Sequence, residues 1–170
     1  MTENTLNRLG RVALVRRHYR TDGGGERLAW AYASAFRMIV SEVSILSETA
    51  LTWPSDQEIR VWSQSLDTAV HRNCSFEEWV MRAKAAHDID LVHSHEWLPG
   101  AESIRIGDGL HSAFLKGMWE GLPTLARLRF HPVFHRSKLA LERETAEHPS
   151  LGYVISPSEM CLEEFRARYT

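Results

Sequence analysis

At 170 residues, with 44% hydrophobic and 25% charged side chains, the chain has the length and make-up of one soluble globular domain with a sizeable core. A formal net charge of −2 gives no overall attraction for nucleic acid, and Cys74 and Cys161 show neither metal nor redox spacing nor a disulfide framework. Met1 to Gly10 is polar and lacks the apolar core of a signal peptide, and no run reaches the length of a membrane span, so the expected compartment is the cytoplasm.

Val12-Ala13-Leu14-Val15 is apolar without a break, the pattern of a strand covered on both faces in a parallel sheet. Gly23-Gly24-Gly25 then predicts a turn with no Cβ, where backbone can come close to a ligand. From Glu26 a helix is expected, with Leu28, Ala31, Tyr32, Ala35, Met38 and Ile39 recurring at helical spacing. Strand, glycines and helix together bring free backbone N–H groups and a positive dipole end to one spot, which suits an anion such as phosphate. The plainer alternative stays open at this point. Glycines between a strand and a helix are often only a tight turn, and GGG is not the full G-x-G-x-x-G fingerprint.

Glu42 to Ser47 alternates and is β-branched, a second strand. Ala50 to Gln57, with Pro54, Ser55 and Asp56, reads as a loop, and Glu58 to Ser63 as a third strand nearer the sheet edge. Phe76, Val80, Ala83 and Ala86 or His87 line one helix face, with Ser75 as N-cap and Glu77 and Glu78 in the first turn. Asp88 to His93 is a compact strand leading into the loop HSHEWLPG. Ser103 to Asp108 is a further strand, ended by the Asp108-Gly109 turn. Leu110 to His148 predicts two or three helices, broken near Gly121-Leu122-Pro123 and around Pro132. Tyr153 to Ile155 is the last strand. Ser156 as N-cap, Pro157 at the first helical position and Glu159 at the third form a capping box for a helix that ends at about Arg168.

Strands alternating with helices indicate an α/β, Rossmann-like, doubly wound and mostly parallel sheet of about six or seven strands, one domain over residues 1–170. With the first strand central and the fourth beside it, the glycine loop and His93 to Gly100 face each other at the switch point, and Asp108 looks into the same crevice.

The ordered set GGGER, DIDLVHSHEWLPG, a strand ending in IRIGDG, ALERE, and YVISPSE before a helix resembles the N-terminal domain of family 4 glycosyltransferases, which have the GT-B fold. It is most similar to the lipopolysaccharide-core glucosyltransferase type, with its G-G-x-[EQ]-R loop, P-G-x-[DE] before the fifth strand and Asp at that strand's end. The resemblance spans Arg11 to Tyr169. It implies two Rossmann-like domains facing across a cleft and transfer of a sugar from a nucleotide-sugar, with retention, to a cell-surface glycan or glycolipid acceptor. It also implies that Gly23, Gly24 and Gly25 lie at the donor diphosphate, with Gly24 in direct contact, and that Glu26 and Arg27 fill the [EQ]-R positions. Asp108 falls where the family places a polar group near the reacting sugar, as a hydrogen-bond partner. No cofactor or metal is implied beyond the nucleotide-sugar itself.

Two departures stand out. The residue before Glu-Arg is a third glycine, and no two glutamates have seven residues between them. That E-x7-E pattern and the cations that clamp the donor belong to the family's C-terminal domain, so the expectation is a chain carrying the N-terminal half alone and inactive by itself.

His93-Ser94-His95-Glu96 invites a metal reading, but no third ligand is spaced nearby, and a cleft-lining role is favoured for the two imidazoles. His95, Glu96 and His111 are candidates for acceptor hydroxyls. Arg16, Arg17, His18 and Arg20 flank the glycine loop and are either solvated surface or, with Arg17 and His18 foremost, a site for acceptor phosphate or carboxylate. From Lys116 to Lys138, cations interleave with Trp119, Phe130 and Phe134. This is either an ordinary amphipathic helix pair or a peripheral contact with anionic lipid on the inner face of the membrane. The competing functions are a non-catalytic α/β module binding a phosphorylated ligand and, ranked last, a metal-dependent hydrolase around His93, His95 and Asp108.

Overall fold

A computed structural model describes residues 9–18, 23–48, 59–63, 69–107, 109–121 and 132–169. The chain divides into two compact units, Met1–Glu96 and Trp97–Thr170. The expected loop at 50–57 and Asp108 lie outside the described residues.

The first unit contains β1 (Leu9–Val15), α1 (Gly24–Phe36), β2 (Val40–Ser47), β3 (Ile59–Ser63), α2 (Ala69–Ala86) and β4 (Leu91–Ser94). Its strands are parallel, in the order β3-β2-β1-β4. The unbroken VALV run is central because both its faces are covered: Val12, Ala13, Leu14 and Val15 are all buried. The register sets Val12 beside Val43 and Leu91, and Leu14 beside Ile45 and His93. Val12, Leu14, Val43 and Ile45 share a face and form a core with Ala29 and Ala33 of α1. On β3, Val61 packs against that core, while Trp62, of opposite parity, stacks on His87 just past α2 with ring centroids 4.2 Å apart. Neighbouring residues of one strand therefore meet the two helical segments on opposite faces, which is the doubly wound arrangement.

Three expectations in this unit are corrected. The inner face of α1 is Glu26, Ala29 and Ala33, flanked by Trp30, Tyr32 and Phe36. Ala31 and Ala35 are exposed, and Met38 and Ile39 follow the helix end, 80% and 55% exposed. Apolar residues surround this segment almost completely, so periodicity cannot choose a face; close approach to the sheet selects the small pair Ala29 and Ala33. Ser75 is not an N-cap, since α2 already begins at Ala69. A serine followed by glutamates is a local start signal, but nothing from Ala69 to Cys74 breaks a helix that begins earlier. Phe76, Val80 and Ala83 are buried as expected. At the far end of α2, Asp88 takes the left-handed φ of 50° and the Ile89 N–H closes on the Lys84 carbonyl at 3.0 Å. Three residues of the expected fourth strand are thus used to stop a helix, and β4 runs to Ser94 instead.

The second unit contains β5 (Ser103–Arg105), α3 (His111–Gly121), α4 (Pro132–Ala146), β6 (Tyr153–Ile155) and α5 (Glu159–Tyr169). β5 and β6 pair in parallel, Ile104 beside Val154. β5 stops earlier than expected, although the Ile106 N–H still donates to the Ile155 carbonyl at 2.9 Å. Gly109, at φ 74°, makes the turn that follows. α3 ends at Gly121 and α4 starts on Pro132, at the two expected breaks. The α5 cap is Ser158, not Ser156: the Cys161 N–H donates to Ser158 Oγ at 3.3 Å, while the Ser156 hydroxyl donates to the Ser158 carbonyl at 2.8 Å. Both serines suit a cap, and the turn closed by Ser156 delays the helix by two residues.

Six strands, parallel in every described pairing, with helices between them make the α/β, Rossmann-like arrangement. Among the described residues no helix is long and apolar enough to cross a membrane.

Candidate functional site

The three glycines do not form the expected turn. Gly23 is the N-cap, at φ −81° and ψ 129°, and Gly24 and Gly25 are the first two residues of α1. Among the described residues no side chain caps this terminus, and the Arg27 N–H makes the opening helical bond to the Gly23 carbonyl at 3.3 Å. None of the three has a positive φ, so backbone conformation does not require glycine here. Space does. A Cβ on Gly24 would meet nothing within 4 Å, whereas one on Gly25 would lie 3.2 Å from Arg16 Nη2. Gly24 is exposed. The first-turn amides of α1 thus stand at the carboxyl end of β1, with an approach over Gly24 that no described residue blocks.

Around them lies a set of ion pairs. Arg16, one residue past β1, reaches Glu26 Oε1 through Nη2 at 3.0 Å and Glu96 Oε1 through Nη1 at 3.2 Å. The Arg17 N–H also donates to Glu96 Oε1 at 3.2 Å, while the Arg17 side chain pairs with buried Glu48 at 3.2 Å and lies over the Phe76 ring at 4.8 Å. His18 is exposed and places Nε2 3.4 Å from Glu48 Oε2. The sequence left two roles open for these cations, solvated surface or anion recognition. In the structure Arg16 and Arg17 are held by carboxylates of the same unit. Glu26 is buried and Arg27 is exposed.

His93 lies within β4 and His95 follows its last residue, and both are buried. His93 stacks on Tyr32 at 5.1 Å, and His95 meets Tyr32 edge-on at 5.4 Å. Their rings are perpendicular to each other, 5.2 Å apart. This packing seats α1 on the sheet. Among the described residues no group of three or more His, Cys, Asp or Glu is disposed to hold a metal ion.

In the second unit, His111 is the first residue of α3 and its terminus is capped from outside by Glu142 of α4. The carboxylate has no exposed surface and accepts from the His111 N–H, the Ser112 N–H at 3.3 Å, the Ser112 hydroxyl at 2.7 Å and the Tyr169 hydroxyl at 2.7 Å. Sequence reasoning included Glu142 in the ALERE motif but gave it no role. The available signal was a carboxylate on the helix face shared by Leu141 and Thr145. The His111 ring lies 3.0 Å, Nε2 to Nδ1, from His135 and stacks on it. Burial, and then the neighbouring His135, lower the His111 pKa below 6.5. Burial and the bond to Glu142 push the Tyr169 pKa up to about 12.

No protein-family model and no curated protein matches the chain. Among solved structures it is similar to WaaG, a glycosyltransferase involved in lipopolysaccharide biosynthesis, with a TM-score of 0.74 and 19% sequence identity over 93% of this chain. The fold is that of a GT-B half. This GT-B-like chain spans 41% of the length of WaaG. In sheets of this kind ligands collect outside the carboxyl ends of the strands, where strand order reverses. Within the first unit that reversal lies between β1 and β4, the edge that carries Gly24, Arg16 and Glu96.

Proposed function

We propose that this chain is the N-terminal, acceptor-side half of a retaining family 4 glycosyltransferase, which moves a sugar from a nucleotide-sugar to a cell-surface glycan or glycolipid. One observation carries the reading: a helix N-terminus at the β1–β4 switch point that, among the described residues, no side chain caps and nothing covers over Gly24. The Gly24 and Gly25 amides and the α1 dipole receive the donor's phosphate. Gly23 sets the approach, Glu26 holds Arg16, and exposed Arg27 stands on the donor side. Asp108 hydrogen-bonds the reacting sugar. In the first unit Glu96 and His18 contact the acceptor, with Arg17 and His95 supporting them; His111, in the second unit, is assigned an acceptor contact of its own. A helix terminus and one carboxylate cannot by themselves stabilise a departing nucleotide, so the remaining cations come from a second domain.

The exposed rings of Phe114 and Phe134, with Val133, lie on helices that also carry Lys116, Arg136 and Lys138. We assign them a peripheral contact with anionic lipid at the cytoplasmic face of the membrane. An uncapped terminus would serve a non-catalytic module for a phosphorylated ligand equally well. A reading frame that continues into a domain with E-x7-E selects the transferase.

The direct test is Gly24→Ala. Its methyl group meets no neighbour, so the fold is expected to be no less stable than wild type. Inorganic pyrophosphate is expected to shift the amide NMR signals of Gly23 to Arg27 in wild type, with affinity at least tenfold weaker in the variant. Equal affinity in the two proteins, or no response in wild type, overturns the donor site.

A further inference from the structure

We propose that Arg16 is the positioning residue of this site, tying the first turn of α1 to the corner after β4 and offsetting two carboxylates, Glu26 and Glu96, that lie beside the phosphate-binding amides. The proposal rests on the phosphate reading above.

The backbone around Arg16 is fixed by the sheet. Its N–H donates to the Leu46 carbonyl at 3.2 Å, and the next carbonyl, that of Arg17, accepts from the Glu48 N–H at 2.8 Å and the Ser47 hydroxyl at 2.9 Å. From this base the guanidinium reaches two other elements. Nη2 meets Glu26 in the first turn of α1, while Nη1 meets Glu96 and, at 3.5 Å, the His95 carbonyl. The far end is equally constrained. Glu96 also accepts the Arg17 N–H, its own N–H donates to Ser94 Oγ at 3.0 Å, and the Ser94 hydroxyl returns to the Glu96 carbonyl at 2.8 Å. The ends of β1, α1 and β4 are therefore joined through one planar fork, a geometry that a lysine ammonium does not reproduce.

Gly25 fits the same design. A side chain there would press on Arg16 Nη2 at 3.2 Å, so the glycine clears the path of the guanidinium, whereas Gly24 leaves its space open to solvent. The arrangement also has an electrostatic consequence. Glu26 lies in the first turn and Glu96 beside it, two negative charges where an anion is to bind. Arg16 reduces them to one. The side chains are only partly exposed, 22% for Arg16 and 10% for Glu26, so water screens them weakly.

Amide hydrogen exchange and pyrophosphate titration, both followed by NMR on the full 170-residue chain, test this with Arg16→Gln, Arg16→Lys and the double variant Arg16→Gln/Glu26→Gln. In Arg16→Gln the Arg27, Leu28 and Ala29 amides are expected to exchange at least tenfold faster while Val12 to Leu14 stay unchanged. Arg16→Lys keeps the charge and the fold and should fall between. Pyrophosphate affinity is expected to drop at least fivefold in Arg16→Gln and to return to within twofold of wild type in the double variant. Exchange in the double variant should stay fast. A residue important only for stability would show no such split. Unchanged exchange in Arg16→Gln overturns the anchoring role, and affinity that is not lost, or is lost without recovery, overturns the offsetting role. A wild-type chain that ignores pyrophosphate removes the phosphate reading, and the exchange rates then decide the anchoring alone.

Discussion

A carboxylate with no exposed surface must be satisfied from several sides, and Glu142 is. Two amides and two hydroxyls donate to it, and Arg168 Nε stands 3.9 Å away. Removing such an acceptor leaves its donors unsatisfied, so Glu142→Ala is expected to lower stability by about 3 kcal/mol, measured by urea unfolding. The same group sets a pH dependence. Tyr169 ionises near pH 10.0 in the unfolded chain and at about 12 in the folded one, so this contribution is complete below pH 10.0 and is lost as pH rises through 12. His111 acts at the other end. Its folded pKa lies below 6.5, so the unfolded chain binds its proton first and stability falls as pH drops below 6.5. In an ultraviolet titration, Tyr169→Phe should remove an ionisation at about 12, and Glu142→Gln should move it earlier, but not to 10.0, because burial remains the larger cause. A titration near pH 12 that Tyr169→Phe leaves unchanged would contradict this.

Elements rather than single residues decide where apolar surface is left over. α3 and α4 carry exposed Phe114, Val133 and Phe134 among exposed Lys116 and Arg136 and half-buried Lys138, whose Nζ lies 5.9 Å from the Phe134 ring centroid. A face of this kind is attracted to anionic lipid and weakly to neutral lipid. The chain is expected to co-sediment with vesicles containing phosphatidylglycerol and much less with pure phosphatidylcholine. Binding that is absent, or indifferent to lipid charge, excludes the membrane contact. Element boundaries also mark how far local signals reach. Pro132 and Gly121 were legible as breaks because each changes the backbone itself. Ser75 and Ser156 were misleading because a capping side chain is only permissive. The neighbouring turn at Ser156 and the breaker-free run before Ser75 decided whether either was used.

For the whole molecule, the likeness to WaaG covers 93% of this chain but 41% of WaaG. Under the half-enzyme proposal the purified 170-residue chain should transfer no sugar from any nucleotide-sugar to added glycan or glycolipid acceptors. Measurable turnover in a radiolabel transfer assay would refute it. Residue order alone was enough for the parallel, doubly wound class and for β1 as the central strand, because an unbroken apolar run and the alternation of strand and helix are properties of the covalent chain. Only the tertiary structure decided that α1 packs through Ala29 and Ala33, that Gly24 is open while Gly25 makes room for Arg16, that Arg16 and Arg17 are neutralised within the fold, and that Glu142 caps a helix 31 residues away from it. Each of these depends on which charge or atom arrives from a distant part of the chain, and no local pattern carries that information.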